Sequence, residues 1–173
     1  MTYYRTRTYI AADFDHDKDA VEQLYKWKES KHLGLDFTDA HELQKSRDTS
    51  LFCTIKESLR ERMNRSKTFV LIVGDQTDNL TKGSCQYCNS YNRWTKACAR
   101  GRSVDTRSYI KYECDEAVEA GINIIVLYKN TRVNIFKCPA AVCTKGIHTP
   151  MLKNMNGCFD WDYQSVKKAF DSI

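Results

Sequence analysis

The chain has 173 residues, 42% of them hydrophobic and 28% charged, which fits one domain with a real core and excludes a disordered or low-complexity protein. Its formal charge of +5 is mild, and no basic run of five or more residues occurs, so a nucleic-acid-binding role is not expected. No apolar stretch is long enough to span a bilayer, and "MTYYRTRTYIAADFD" lacks the apolar centre of a signal peptide, so we expect a cytoplasmic protein with no membrane partner.

Tyr9 to Ala12 ("YIAA") is a short apolar run that predicts a buried strand. "DHDKDAVEQLYKWKES" predicts a helix capped by Asp15 or Asp17, with Val21, Leu24, Tyr25 and Lys28 on one face. Leu33 to Phe37 reads as a second strand, followed by the polar loop "TDAHELQKSRDTS". From Ser50 to Asn64, Leu51, Ile55, Leu59 and Met63 recur at helical spacing, and Asp48, Thr49 or Ser50 can cap that helix. "TFVLIVG" (Thr68 to Gly74) is continuous, β-branched and apolar, as a central parallel strand is.

A polar insert without a clear period precedes the helix in "RSYIKYECDEAVEAG" (Arg107 to Gly121). Ile122 to Tyr128 is another buried strand, and the tail holds a weak extended piece near Gly146 to Met151 and a last helix near Tyr163 to Ser172. Buried strands alternating with amphipathic helices imply an α/β fold, with a central parallel sheet, helices on both faces, and the insert at about 79–106 within one domain spanning 1–173.

In such sheets ligands bind beyond the carboxyl ends of the strands. That rule selects the loops after the first three strands. The first carries Asp13, Phe14, Asp15, His16 and Asp17; the second carries Asp39, His41, Ser46, Arg47 and Asp48. On the helix from Arg107 to Gly121, Ile110, Cys114, Ala117 and Gly121 form one apolar stripe, while Asp115, Glu116 and Glu119 fall outside it. Glu113 falls about 60° from Ile110 and about 40° from Ala117. A carboxylate on the flank of a buried face, near the strand ends, is either part of a ligand site or a helix-flank acid paired with Lys111 or a neighbouring loop. The phosphate loop G-x-x-x-x-G-K-[ST], the dinucleotide motif G-x-G-x-x-G and the hydrolase elbow G-x-S-x-G are all absent.

Cys85-x2-Cys88 with Cys98 has metal-like spacing, but a tetrahedral zinc needs a fourth ligand and the insert contains no histidine. Cys114 is a further thiol, though it lies on the apolar stripe. A redox pair and ordinary thiols are the alternatives. The insert and its flank carry Lys82, Arg93, Lys96, Arg100, Arg102 and Arg107 against Asp105, which suggests a basic flap able to hold phosphates, or simply a solvated loop.

Taken together, "RTYIAADFDHDKD", "FTDAHELQKSRDTSL", "SLRERMNRSKTFVLIVGDQT" and "SYIKYECDEAVEAGINIIVLY" resemble the TIR-like proteins of bacterial defence, and most of all the TIR component of Thoeris anti-phage systems. The resemblance runs from Tyr4 to about Pro139, apart from the insert. It implies a flavodoxin-like fold and cleavage of NAD at the nicotinamide–ribose bond, with NAD as substrate and no cofactor required. The glutamate of the family's aromatic-x-x-aromatic-Glu pattern falls on Glu113 of "YIKYE". The resemblance also implies a nucleotide site lined by Asp13, Phe14, Asp15, Asp39, His41, Arg47, Asp48, Tyr109 and Tyr112. It implies a cyclic ADP-ribose-type signal to a separate effector, and self-association on activation. Tyr109-Ile110-Lys111 departs from the Trp-Val-Arg or Phe-Val-Arg of many members, so a point-charge lysine stands in place of a forked guanidinium. A non-catalytic interaction module and a nucleotide-binding sensor are the competing readings.

Overall fold

Two runs of β-branched residues organise the centre of the protein, because side chains alternate across a strand and each run therefore faces two layers. The computed structural model describes residues 5–40 and 51–173. Strand β1 (Arg7–Ala11) leads into helix α1 (Lys18–Glu29), and helix α2 (Phe52–Asn64) into strand β2 (Ser66–Val73). The insert holds a two-stranded hairpin, β3 (Tyr91–Asn92) and β4 (Ala97–Cys98). Helix α3 (Tyr109–Glu119) is followed by β5 (Asn123–Tyr128), β6 (Ile147–Pro150), the hairpin β7 (Leu152–Met155) and β8 (Cys158–Trp161), and helix α4 (Tyr163–Asp171).

Strands β1, β2, β5 and β6 pair in that order, every pair parallel. Tyr9, Phe69, Leu71, Ile124 and Val126 pack on one face with Met63 of α2 and Ile110, Cys114 and Ala117 of α3. Ile10, Val70, Ile72, Ile125 and Leu127 pack on the other with Ala20, Val21, Leu24 and Trp27 of α1 and Val166 and Ala169 of α4. The result is a three-layer α/β fold of the flavodoxin-like kind, as the alternation of elements implies.

Several local expectations need correction. Leu33 to Phe37 forms no strand. Leu35 and Phe37 are buried because they pack on the α1 and α4 face, and the chain reaches the sheet only afterwards. There the Thr8 N–H donates to the Thr38 carbonyl (2.7 Å) and the Ala40 N–H to the Thr8 carbonyl (2.9 Å), a single parallel bridge beside β1. Asp17 occupies the N-cap position of α1 but its side chain makes no capping bond. Val21 and Leu24 are buried as expected, joined by Ala20 and Trp27, while Tyr25 is only partly buried. The capping candidates Asp48, Thr49 and Ser50 lie outside the described residues.

The insert folds back over α2. Lys56 is buried at 3% exposure, and its ammonium donates to the carbonyls of Arg107 (2.7 Å) and Asp105 (3.2 Å) and pairs with the Asp105 carboxylate (3.4 Å). Arg107 bonds Asp105 and Asp115, each at 2.7 Å. Burial alone would raise the Asp105 pKa. The hydrogen bonds from Arg107 and the charges of Lys56 and Arg107 outweigh it and hold the group at about 2.

Gly146 has φ +77°, and an added Cβ would stand 2.1 Å from the Ile124 carbonyl oxygen; Gly157 has φ +89° but open space around it. Gly146→Ala is expected to cost about 2 kcal/mol or more in denaturant unfolding and Gly157→Ala about 1 kcal/mol. Equal losses would remove the steric account. A carboxylate whose folded pKa is depressed stabilises above its unfolded pKa, and that contribution fades as pH falls towards the folded value. Asp105→Asn should therefore lose roughly 1–2 kcal/mol at neutral pH. Its gap from the parent protein should close between about pH 4 and pH 2 in acid unfolding curves.

Candidate active site

Glu113 sits just over one turn into α3, on the side of the helix that meets β1. Its residue exposure is 7%, so the flank position becomes a mostly buried one once the sheet is in place. An isolated buried carboxylate is costly, and a donor is required. Tyr9 of β1 supplies one: its hydroxyl donates to Glu113 Oε1 at 2.5 Å. Burial, reinforced by the Glu113 charge, raises the Tyr9 pKa well above its ordinary value, so the phenol remains a proton donor at neutral pH. Tyr9 was not among the sequence candidates; its signal is a single polar handle in the otherwise apolar run "YIAA".

The loop after β1 divides its acids between two jobs. Asp13 is buried, and its carboxylate meets His16 Nδ1 at 2.6 Å and the Asp15 N–H at 3.2 Å, which fixes the turn. Asp17 is 2% exposed and fills the space above Gly74, where a Cβ would lie 2.1–2.4 Å from its carboxyl atoms. Gly74 ends β2 because only glycine leaves that room. Lys129, just past β5, reaches Asp17 at 3.5 Å and Asp19 at 2.6 Å and donates to the His16 carbonyl at 3.0 Å. Burial raises the Asp17 pKa, and the Lys129 charge partly offsets it. Asp13, Asp17 and Lys129 thus lace the strand ends together.

Phe14 (54% exposed) and Asp15 project from the same loop. Asp15 pairs with Lys82 at 3.0 Å, and the Lys82 carbonyl accepts from the Tyr109 N–H at 2.8 Å. The loop after β1, the start of the insert and the start of α3 are therefore joined, and Glu113 lies one turn beyond that junction. Ser108 caps α3 by accepting from the Lys111 N–H.

The remaining candidates take varied places. Asp39 is buried at the bridge beside β1 and accepts from the Tyr25 hydroxyl. Tyr112 packs towards α2, with Lys56 5.5 Å and Arg107 4.9 Å from its ring centroid. Tyr109 stacks edge-on to Phe52 at 5.9 Å and lies against Gly83, whose added Cβ would be 2.5 Å from the ring. Its hydroxyl is raised in pKa by burial first and by neighbouring Cys88, Cys85 and Cys53. Tyr109 and Tyr112 thus line the seat of the insert. His41, Ser46, Arg47 and Asp48 lie outside the described residues. Of the insert's bases, Lys82, Arg102 and Arg107 are paired with Asp15, Glu57, Asp105 and Asp115.

A concavity of about 380 Å³ lies at the opposite end of the sheet, lined by Val118, Asn123, Lys145, Gly146 and Ile173 among others. It is distant from the strand ends to which parallel sheets direct their ligands. Among the described residues no helix is long and apolar enough to cross a membrane.

Residues 3–82 match the family described as Thoeris protein ThsB, TIR-like domain. The matched stretch is just under half of the chain; it contains β1, α1, α2 and β2 and stops before the insert's cysteines and before Glu113. No curated protein matches the chain. The match and the parallel three-layer α/β fold together support a TIR-like protein of the Thoeris type.

Proposed function

We propose that this protein cleaves NAD at the nicotinamide–ribose bond in anti-phage defence, with Glu113 as the catalytic carboxylate. The observation that carries the reading is Glu113 itself: an acid buried on α3, held by a phenol of β1, one turn from where the strand-end loops meet. Breaking the C1′–N bond sends its electron pair to the nicotinamide nitrogen and leaves positive charge on the ribose. A fixed anion in a place partly withdrawn from water stabilises that charge more than water can. The hydrogen bond from Tyr9 fixes the carboxylate's rotamer, so no reorganisation is needed as charge develops. Nicotinamide leaves as a neutral base, so no strong acid is required. Capture of C1′ by water gives ADP-ribose; capture by a nucleophile within the same molecule gives a cyclic product that serves as a signal to a separate effector. In this reading Phe14 stacks on a ring of the nucleotide and Asp15 meets its sugar hydroxyls. Self-association on activation completes the reading.

A second reading, a TIR-type interaction module without turnover, draws on the same hydrogen bond. A purely structural carboxylate would be buried and paired in the same way. The two separate in one comparison of chemistry with stability. Under activating conditions, with infected-cell lysate or crowding, the parent protein should release nicotinamide from NAD, and Glu113→Gln should lower that release at least about 100-fold. Tyr9→Phe removes one donor from a buried acceptor and should cost about 1 kcal/mol of stability. Unchanged nicotinamide release in a folded Glu113→Gln protein would sink the enzymatic role of this residue. No nicotinamide release under any activating condition, with Glu113→Gln merely less stable, would favour the module.

A further inference from the structure

The insert poses a stability problem that its apolar content does not solve. Between Cys85 and Cys98 the one buried residue is Cys85 itself, and Trp94 at the hairpin tip is 96% exposed. Segments of this size without a core of their own usually need a covalent or metal staple. All eight cysteines are free thiols, so no disulfide supplies it.

The fold supplies the ligand that the spacing of Cys85, Cys88 and Cys98 lacks. Cys53, the second residue of α2, lines the same small cavity as those three thiols. Cys85 and Cys88 flank one tight turn, in which the Cys88 N–H donates to the Cys85 carbonyl at 3.1 Å. The hairpin returns Cys98 to the register of Tyr91, three residues past Cys88. The cavity holds about 10 Å³ of open space, close to a single small sphere. Cys114, by contrast, packs in the sheet-side core with Ile110 and Ala117.

We propose that Cys53, Cys85, Cys88 and Cys98 form a structural zinc site that staples the insert to the start of α2. Among the described residues no three such donors already stand in metal-binding arrangement, so the thiols close onto the ion by side-chain rotation as it binds. Each of the four gives up its proton and forms one Zn–S bond of about 2.3 Å, and no oxidation is involved. The surroundings suit that charge. Four thiolates leave the zinc complex doubly negative, and Arg93, Lys96, Arg100 and Arg102 surround it in sequence. The Tyr109 hydroxyl is buried without a hydrogen-bond partner among the described residues, beside Cys53, Cys85 and Cys88. A bound thiolate gives it an acceptor. Four soft donors select zinc over harder divalent ions. Three of the four lie beyond the family match, so the site belongs to this chain's insert rather than to the matched half.

The test is metal analysis of the full-length protein purified without chelator and loaded with zinc chloride. About one zinc per chain is expected. Cys53→Ser and Cys88→Ser should lose it, while Cys158→Ser, on the exposed β8, should retain it. Should the ligand variants fail to fold, cobalt replaces zinc in the parent protein. An intense thiolate-to-cobalt charge-transfer band with tetrahedral d–d absorption supports the site. Zinc content near zero after loading, full zinc in Cys53→Ser, an octahedral cobalt spectrum, or disulfides among these cysteines in thiol counting would overturn it.

Discussion

The hydrogen bond from Tyr9 to Glu113 is the constraint around which the candidate site is arranged. A carboxylate buried against a sheet is tolerated only if a donor is already waiting. Tyr9 can wait there because alternate residues of β1 face the α2 and α3 layer, and Tyr9 has the right parity while Ile10 faces the other layer. β1 in turn stays in register because it pairs parallel with β2, and β2 with β5. The placement of one acid thus depends on the pairing of three strands and on the phase of one helix.

The acids at the strand ends show how the same residue types divide between holding the fold and facing a ligand. Asp13 and Asp17 are buried and committed to His16, Gly74 and Lys129. Phe14 and Asp15, next to them in the chain, remain outside. A loop fixed from beneath in this way presents its exposed residues with little freedom, which is what a positioned nucleotide would need. Lys56 and Arg107 clamp the insert by its carboxyl end, and close by, three thiols of the insert and Cys53 of α2 line one small cavity. The clamp fastens a segment that has almost no apolar core, and the proposed zinc would fasten it a second time.

Continuous apolar runs made β2 and β5 readable from the sequence, because a strand buried on both faces has no polar period to obscure it. The helices were readable from their 3.6-residue period, and the three-layer class from the alternation of the two. The β7–β8 hairpin was missed although Asn156-Gly157 is a turn signal of the strongest short-range kind, and both residues do take positive φ. Its strands are too short and too exposed to show a burial pattern. The Leu33 to Phe37 strand was expected because alternating burial on a helix-covered face mimics a sheet's alternation. Glu113 was legible from helical phase alone, but its partner was not: Tyr9 and Glu113 are 104 positions apart, and spacing carries no information at that separation. Cys53 and Lys56 were hidden for the same reason, since a distant segment folding over α2 is what gives each its surroundings.

If Glu113 is the catalytic carboxylate, it faces the ribose of a bound nicotinamide nucleotide. The direct measurement is a structure of the protein with a non-cleavable NAD analogue. The Glu113 carboxylate is expected in contact with the nicotinamide-side ribose, still held by Tyr9, with Phe14 and Asp15 against the nucleotide. An analogue bound elsewhere, with Glu113 sealed beneath the sheet-side packing, would contradict it.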